Sequence, residues 1–275
     1  MGEKNIHVQA HRGACSEYVE NTLPAFQRAV ELRVDSIELD VHLTRDGAVV
    51  VYHDDEITPE WCRDKLGNPV PFSLPIWEMG LQEIRDLRTR IDRRLLIKRT
   101  LLEDEKKIPT LDEVFEVVRK WSSEFNHSIV LDIEIKRQNL IEKKPPSSEF
   151  MVRQVLAEIR RNWKVEHTVI RSFDFSVLDE VKRQSTEVPI AVLTYEMETT
   201  FKEIYHRFQP KIWAPYYQNI SSGDIAGARS LGAEVIPYTV NTLQSFEKMI
   251  AEGVTGLTTD NPKLLLEYLN RSKIE

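Results

Sequence analysis

Apolar and polar residues alternate with period two through Ser36-Ile37-Glu38-Leu39-Asp40-Val41, and again through Leu131-Asp132-Ile133-Glu134-Ile135-Lys136. A β-strand sends successive side chains to opposite faces, so each stretch reads as a strand with one apolar face. The other face carries Glu38 and Asp40 in the first, and Asp132, Glu134 and Lys136 in the second. The pattern around them alternates strand and helix. Ile6 to His11 predicts a first strand. Asn21 and Thr22, as cap candidates ahead of Pro24, announce a helix through Ala25, Phe26, Ala29, Val30 and Leu32. Arg45-Asp46-Gly47 separates Val41–Thr44 from Ala48–Tyr52 and signals a hairpin. So short a connection forces an antiparallel return, which carries His53 back toward the level of Asp40.

Residues 54 to about 107 break the rhythm with Pro59, Pro69, Pro71 and Pro75. They read as an insertion on a rim, with one helix near Met79 to Leu87 and a charged stretch from Arg88 to Lys107. Helical spacing resumes at Leu111, Val114, Phe115, Val118 and Trp121. After the Glu134 strand comes a polar loop to Ser148, then a helix from Phe150 to Trp163. Strands are expected at Thr168–Phe173, Val188–Leu193, Lys211–Ala214, Ala233–Thr239 and Gly256–Thr259. Helices follow them at Ser176–Gln184, Glu198–Phe208, Gly223–Leu231, Leu243–Ala251 and Lys263–Leu269. Setting the hairpin's return aside, eight strands begin near residues 6, 36, 129, 168, 188, 211, 234 and 256. This predicts a single α/β domain over residues 1–275, a TIM (β/α)8 barrel with a small insertion after the second-strand hairpin. An open doubly wound sheet would want a Gly-x-Gly-x-x-Gly turn, which the chain lacks.

A formal net charge of −7 gives no reason to expect nucleic acid or an anionic membrane surface as partner. No apolar run approaches membrane-spanning length, and Met1 to Ala10 shows no basic segment followed by an apolar one. The expectation is a cytoplasmic protein without stable membrane insertion. Cys15 and Cys62 are too few for a disulfide framework, and a single bridge between them is left open.

In such a barrel the strand C-termini gather the site. His11 and Arg12 end the first strand, Asp40 lies near the end of the second, and Lys136 ends the third. Glu38, Asp40 and Glu134 offer an all-oxygen site suited to one divalent cation, Mg2+ or Ca2+. Arg12 and Lys136 could hold a phosphate beside it, and His11 and His53 supply an acid and a base near neutral pH. Phe173 and Tyr238, at strand ends, are candidates to line the substrate pocket. Asp132 lies deeper and is read as support by hydrogen bonding. His42 is read as a packing or surface residue, His7, His127, His167 and His206 as surface or capping residues, and Asp260 as a cap ahead of Pro262.

His11-Arg12-Gly13, Glu20-Asn21-Thr22, Glu38-x-Asp40-Val41, the Asp46-Gly47 hairpin into His53-Asp54, Glu134-x-Lys136, Thr239-Val240-Asn241 and Thr259-Asp260-Asn261-Pro262 together resemble the glycerophosphodiester phosphodiesterase family. The resemblance covers nearly the whole chain in the right order. It implies a barrel with a small insertion after the second histidine. It also implies hydrolysis of deacylated phospholipid headgroups to glycerol 3-phosphate and an alcohol. By that likeness His11 and His53 are the catalytic pair, Glu38, Asp40 and Glu134 the metal ligands, and Arg12 and Lys136 the phosphate clamp. The glycerol 2-hydroxyl would attack phosphorus to give a cyclic phosphate, or water would attack directly. Tyr238 stands where the family often has Trp, and Cys15 sits in a loop usually filled by small residues. Two other functions compete: a phospholipase D-like enzyme on lysophospholipids or sphingomyelin, and a non-catalytic barrel that binds a phosphorylated ligand.

Overall fold

A computed structural model describes residues 6–89, 107–137, 144–196 and 200–271. Strand β1 (His7–Ala10) leads through helix α1 (Leu23–Glu31) to β2 (Ser36–Leu43), which turns back as β3 (Val49–Val51). The insertion holds β4 (Glu56–Ile57), β5 (Cys62–Arg63), β6 (Leu74–Pro75), helix α2 (Leu81–Arg85) and β7 (Arg88–Thr89). Helix α3 (Leu111–Glu124) then opens the regular alternation of β8 (Val130–Ile135), α4 (Ser148–Asn162), β9 (Thr168–Ser172), α5 (Phe175–Gln184), β10 (Ile190–Thr194) and α6 (Phe201–Phe208). It ends with β11 (Ile212–Pro215), α7 (Ser222–Ser230), β12 (Glu234–Val235), α8 (Leu243–Glu252), β13 (Gly256–Thr259) and α9 (Pro262–Arg271).

Eight of these strands lie side by side in the order β12-β11-β10-β9-β8-β2-β1-β13, all parallel, with β3 paired antiparallel to β2. The two ends of this path meet through main-chain bonds from Thr255 to Val235, Thr258 to Pro237 and Val240 to Thr258. The sheet is therefore a nearly closed TIM barrel, as the alternation predicted. The helices wrap it because each has one apolar stripe and a polar remainder. Thr110 and Glu113 form a capping box at the start of α3, and Thr200, Ser221 and Thr242 accept from the third backbone N–H of their own helices.

Outward strand residues such as Ile37, Leu39, Leu131, Ile133 and Trp213 pack with the helices in the main core. The barrel interior divides. Across β9 to β12 it is apolar, with Val169, Ala191, Leu193, Ile212, Ala214 and Ile236. On the β1, β2 and β8 side it is polar. There the Arg171 guanidinium grips Asp132 with two donors and reaches Gln9 Oε1 at 2.7 Å. Gln9 in turn donates to Ser36 and Asp132 and accepts from Thr258. Such a layer is tolerated inside because every member has a partner. It forms the floor on which the mouth of the barrel rests.

Several local expectations shift. The regular part of the seventh strand is only Glu234–Val235; beyond it the Ile236 and Tyr238 N–H groups still donate to Trp213 and Pro215 of β11, and Pro237 between them has no N–H to offer. The sixth helix begins at Phe201, and its expected start at Glu198 lies outside the described residues. Besides its helix, the insertion contains two small antiparallel pairs, β4 with β6 and β5 with β7. They cover an apolar cluster of their own around Ile57, Cys62, Ile76 and Ile84. Most of the charged stretch from Arg88 to Lys107 lies outside the described residues. Cys15 and Cys62 are both buried, and neither is in a disulfide. No helix among the described residues is long and apolar enough to cross a membrane.

Candidate active site

The loop after β1 is built by backbone conformation. Arg12 and Gly13 both have positive φ, +54° and +82°. A Cβ on Gly13 would sit 2.7 Å from the carbonyl carbon of Ala25, so only glycine lets the loop lie against α1. The left-handed turn at Arg12 costs about 1–2 kcal/mol for a residue with a Cβ. It is held by what it aims. The Arg12 backbone N–H donates to Glu38 Oε2 at 3.0 Å, its Nη1 to Glu20 at 2.8 Å, and its Nε lies 3.3 Å from Asp40 Oδ2. Asn21 donates to the same Asp40 oxygen at 2.8 Å. Thr22 holds the N-cap position of α1, but its hydroxyl turns to the Val19 carbonyl. Thr22 thus takes the cap position expected of it without a capping hydrogen bond, whereas Asn21, the other cap candidate, turns to Asp40, and Glu20 to Arg12.

Strand parity delivers the acidic groups. Asp40 pairs with Glu134 in the β2–β8 register, and Glu38 with Asp132 one step deeper. Oxygens of Glu38, Asp40 and Glu134 all lie within 4.8 Å of one another, and all three residues are buried. Lys136 Nζ stands 2.9 Å from Glu134 and 3.7 Å from Asp40. The hairpin return is pinned by the Tyr52 N–H on the Asp40 carbonyl, as its turn chemistry predicted. His53 follows directly, with Nδ1 2.7 Å from Asp54 Oδ1. His53 and Lys136 line a cleft of about 740 Å3 together with Asp55, Thr58, Trp61 and Ser73 of the insertion. On the other flank, Phe173 and Tyr238 meet edge to face at 5.9 Å.

His11 is fastened across the closure of the barrel. Its Nδ1 lies 2.6 Å from Asp260 Oδ1, while Nε2 points toward Glu38 at 3.9 Å. Asn241 grips Asp260 from both sides, donating to Oδ2 and accepting from its backbone N–H. The cap of α9 is instead Asn261, which accepts from Leu264. In sequence Asp260 resembles that cap because its partner, His11 just past β1, is 249 residues away. The usable signal was topological: β13 neighbours β1, so residues just past each must meet. Arg171 and Gln9 were missed for the same reason. Asp132 accepts hydrogen bonds from Gln9 and Arg171 in the layer beneath the acidic trio. His42 is buried against the His53 carbonyl, so it is a packing residue. His7 is half-buried, with its Nε2 2.7 Å from Ser36 Oγ.

The charges are mutually dependent. Burial, then the neighbouring Asp40, pushes the Glu38 carboxyl well above its ordinary range. Burial would raise Asp40 too, but Arg12, then His53 and Lys136, hold it below the usual carboxylate range. Lys136 is desolvated, yet Glu134 and Asp40 keep it firmly protonated. Burial and Arg12 bring His11 down to about 4, so its imidazole is neutral at physiological pH. Three buried carboxylates therefore share Arg12 and Lys136, and Arg12 is divided with Glu20. The donor set is hard oxygen and short of positive charge, which fits a divalent cation held by Glu38, Asp40 and Glu134.

Fold and site together define a class: a TIM barrel whose C-terminal mouth combines an acidic trio, two cations and two imidazoles. The sequence profile of the Glycerophosphoryl diester phosphodiesterase family matches residues 11–264, so the chain belongs to that family of phosphodiester hydrolases. It is 31% identical over 267 residues to a glycerophosphodiester phosphodiesterase of Caldanaerobacter subterraneus subsp. tengcongensis, covering 96% of this chain and 98% of the relative. It is 24% identical to human lysophospholipase D, covering 95% of this chain and 85% of the relative. A crystal structure from Silicibacter pomeroyi DSS-3 superposes with a TM-score of 0.85 at 27% identity, covering 98% of this chain and 95% of the other.

Proposed function

We propose that the protein hydrolyses glycerophosphodiesters to sn-glycerol 3-phosphate and a free alcohol in a metal-dependent reaction. The observation that carries this is the convergence of Glu38, Asp40 and Glu134 beside Lys136, Arg12 and His11 at one mouth. The likeness to the Caldanaerobacter enzyme over nearly both whole chains supports the substrate class. Glu38, Asp40 and Glu134 would hold Mg2+ or Ca2+, which would supply positive charge against the phosphoryl oxygens as they gain charge. Arg12 and Lys136 orient the phosphodiester. His11 and His53 work as a pair: one takes a proton from the attacking hydroxyl and the other gives one to the leaving alkoxide. Asp260 keeps His11 with its Nδ1 hydrogen-bonded, so Nε2 is the nitrogen that faces the reaction.

The attacking hydroxyl is the substrate's own glycerol 2-OH. Its attack on phosphorus expels the alcohol and leaves a cyclic phosphate, which water opens in a second step with the histidine roles reversed. The leaving alcohol lies in the cleft formed by Lys136, His53 and the insertion, with Phe173 and Tyr238 on the opposite flank. The test is release of sn-glycerol 3-phosphate from glycerophosphocholine or glycerophosphoethanolamine by purified protein with Mg2+ or Ca2+. Absence of release with either metal would overturn the reading. The human relative's name favours a second reading, lysophospholipids as substrate. Faster turnover of an acylated than of a deacylated glycerophosphodiester would favour it.

A further inference from the structure

We propose a second metal site, formed by His11 Nδ1, Cys15 Sγ and an Asp260 carboxylate oxygen, that takes a thiophilic divalent cation such as Zn2+ and inhibits the enzyme. The three donors lie within 4.8 Å of one another, apart from the acidic trio. Asp260 Oδ1 is 2.6 Å from His11 Nδ1 and 3.2 Å from Cys15 Sγ. A tetrahedral ion with bonds of about 2.0–2.3 Å keeps its donors ~3.5 Å apart, so small side-chain shifts would open the centre. The backbone already fixes the frame. His11 N–H donates to the Thr259 carbonyl and Ser16 N–H to the Asp260 carbonyl, both at 3.0 Å, which ties the β1 loop to the end of β13. Cys15 is 2% exposed and lies beside His11 and Asp260, with no second cysteine near to divert it into a disulfide.

Donor chemistry separates the two sites. One nitrogen, one sulfur and one carboxylate oxygen suit Zn2+, whereas Mg2+ and Ca2+ prefer the all-oxygen trio. Binding releases one proton to solvent, from the thiol, while the Nδ1 proton of the neutral His11 imidazole passes to Nε2 and Asp260 exchanges its imidazole partner for the ion. His11 then loses the hydrogen bond that sets its tautomer, and with it the ability to shuttle a proton in the reaction proposed above. Cys15 thus makes the catalytic imidazole sensitive to a metal other than the activating one.

The test uses Co2+ as a spectroscopic stand-in, added to full-length protein already saturated with Mg2+ and without substrate. A thiolate-to-cobalt charge-transfer band is expected in wild type and in Cys62→Ala, and absent in Cys15→Ala and Cys15→Ser. No band in wild type, or a band that survives Cys15→Ala, overturns the site whatever the enzyme's substrate is. In turnover assays at saturating Mg2+, Zn2+ should inhibit wild type. The concentration needed should rise about 100-fold in both Cys15 variants, measured against each variant's own uninhibited rate, since loss of a ligand costs at least as much as loss of its supporting hydrogen bond. Zn2+ inhibition that extra Mg2+ abolishes, unchanged by Cys15→Ala, would put the ion on the trio and overturn the proposal.

Discussion

At the scale of single residues, the site depends on side chains whose alternatives are blocked. Arg12 occupies left-handed backbone so that its N–H meets Glu38 and its guanidinium meets Asp40 and Glu20. His11 has one nitrogen committed to Asp260, leaving the other toward Glu38. Replacing His11 or His53 by Ala should lower kcat by roughly 10²–10⁴-fold with metal binding retained, as general acid–base catalysis is worth about that much. Asp260→Asn should lower kcat less than His11→Ala and shift the pH–rate profile, because the imidazole loses the carboxylate that orients it. An unchanged profile in Asp260→Asn would make that contact merely structural. Glu38, Asp40 and Glu134 were legible in the chain because period-two alternation puts them on one face of two strands. Asp260 and Arg171 were not, because nothing local distinguishes a helix cap or a basic strand residue from a group whose partner lies across the barrel.

At the scale of elements, turns and loop contacts place these residues. The Asp46-Gly47 turn, with Gly47 at φ +82°, returns β3 against β2 in the register Val41–Val51 and brings His53 alongside. That much was readable, since a three-residue connection admits no parallel partner. The small strands of the insertion were not readable, because two-residue strands carry no period. Pro237 interrupts the regular part of β12, an interruption that the continuous apolar pattern of Ala233 to Thr239 hides. Gly13 gives a test at this scale. Gly13→Ala combines a forbidden φ with a backbone contact at 2.7 Å, so the β1 loop must move off α1. Chemical unfolding should show a loss of roughly 2–4 kcal/mol, with a fall in kcat from the displaced Arg12. Wild-type stability in Gly13→Ala would refute the packing argument.

For the whole molecule, buried ionisable groups set the response to pH and metal. Burial, then Lys136, brings His42 down to about 3, against 6.5 when exposed. A group with a depressed folded pKa contributes stability that is present above 6.5 and lost as pH falls toward 3, because the unfolded chain binds the proton first. His11 acts in the same direction. His42→Gln should therefore lose Tm less steeply than wild type between pH 6.5 and 4, both measured without added metal. Equal slopes would contradict the assignment. Glu38 has the opposite sign: its raised pKa favours the folded protein at low pH, an advantage lost as pH rises. A divalent cation offsets that loss. At about 100 times its Kd it should stabilise the fold by about 2.7 kcal/mol, and at one fixed cation concentration the gain in Tm should grow as pH rises, because the cation displaces the Glu38 proton.

The most direct test pairs two readings on the same samples: calorimetric titration of Mg2+, and release of sn-glycerol 3-phosphate from glycerophosphoethanolamine, in wild type and Glu134→Gln. The acidic trio as metal holder predicts one cation per chain in wild type, with binding and turnover both falling about 100-fold or more in the variant. Turnover that survives in Glu134→Gln after cation binding is lost, or in wild type after chelation, would contradict it.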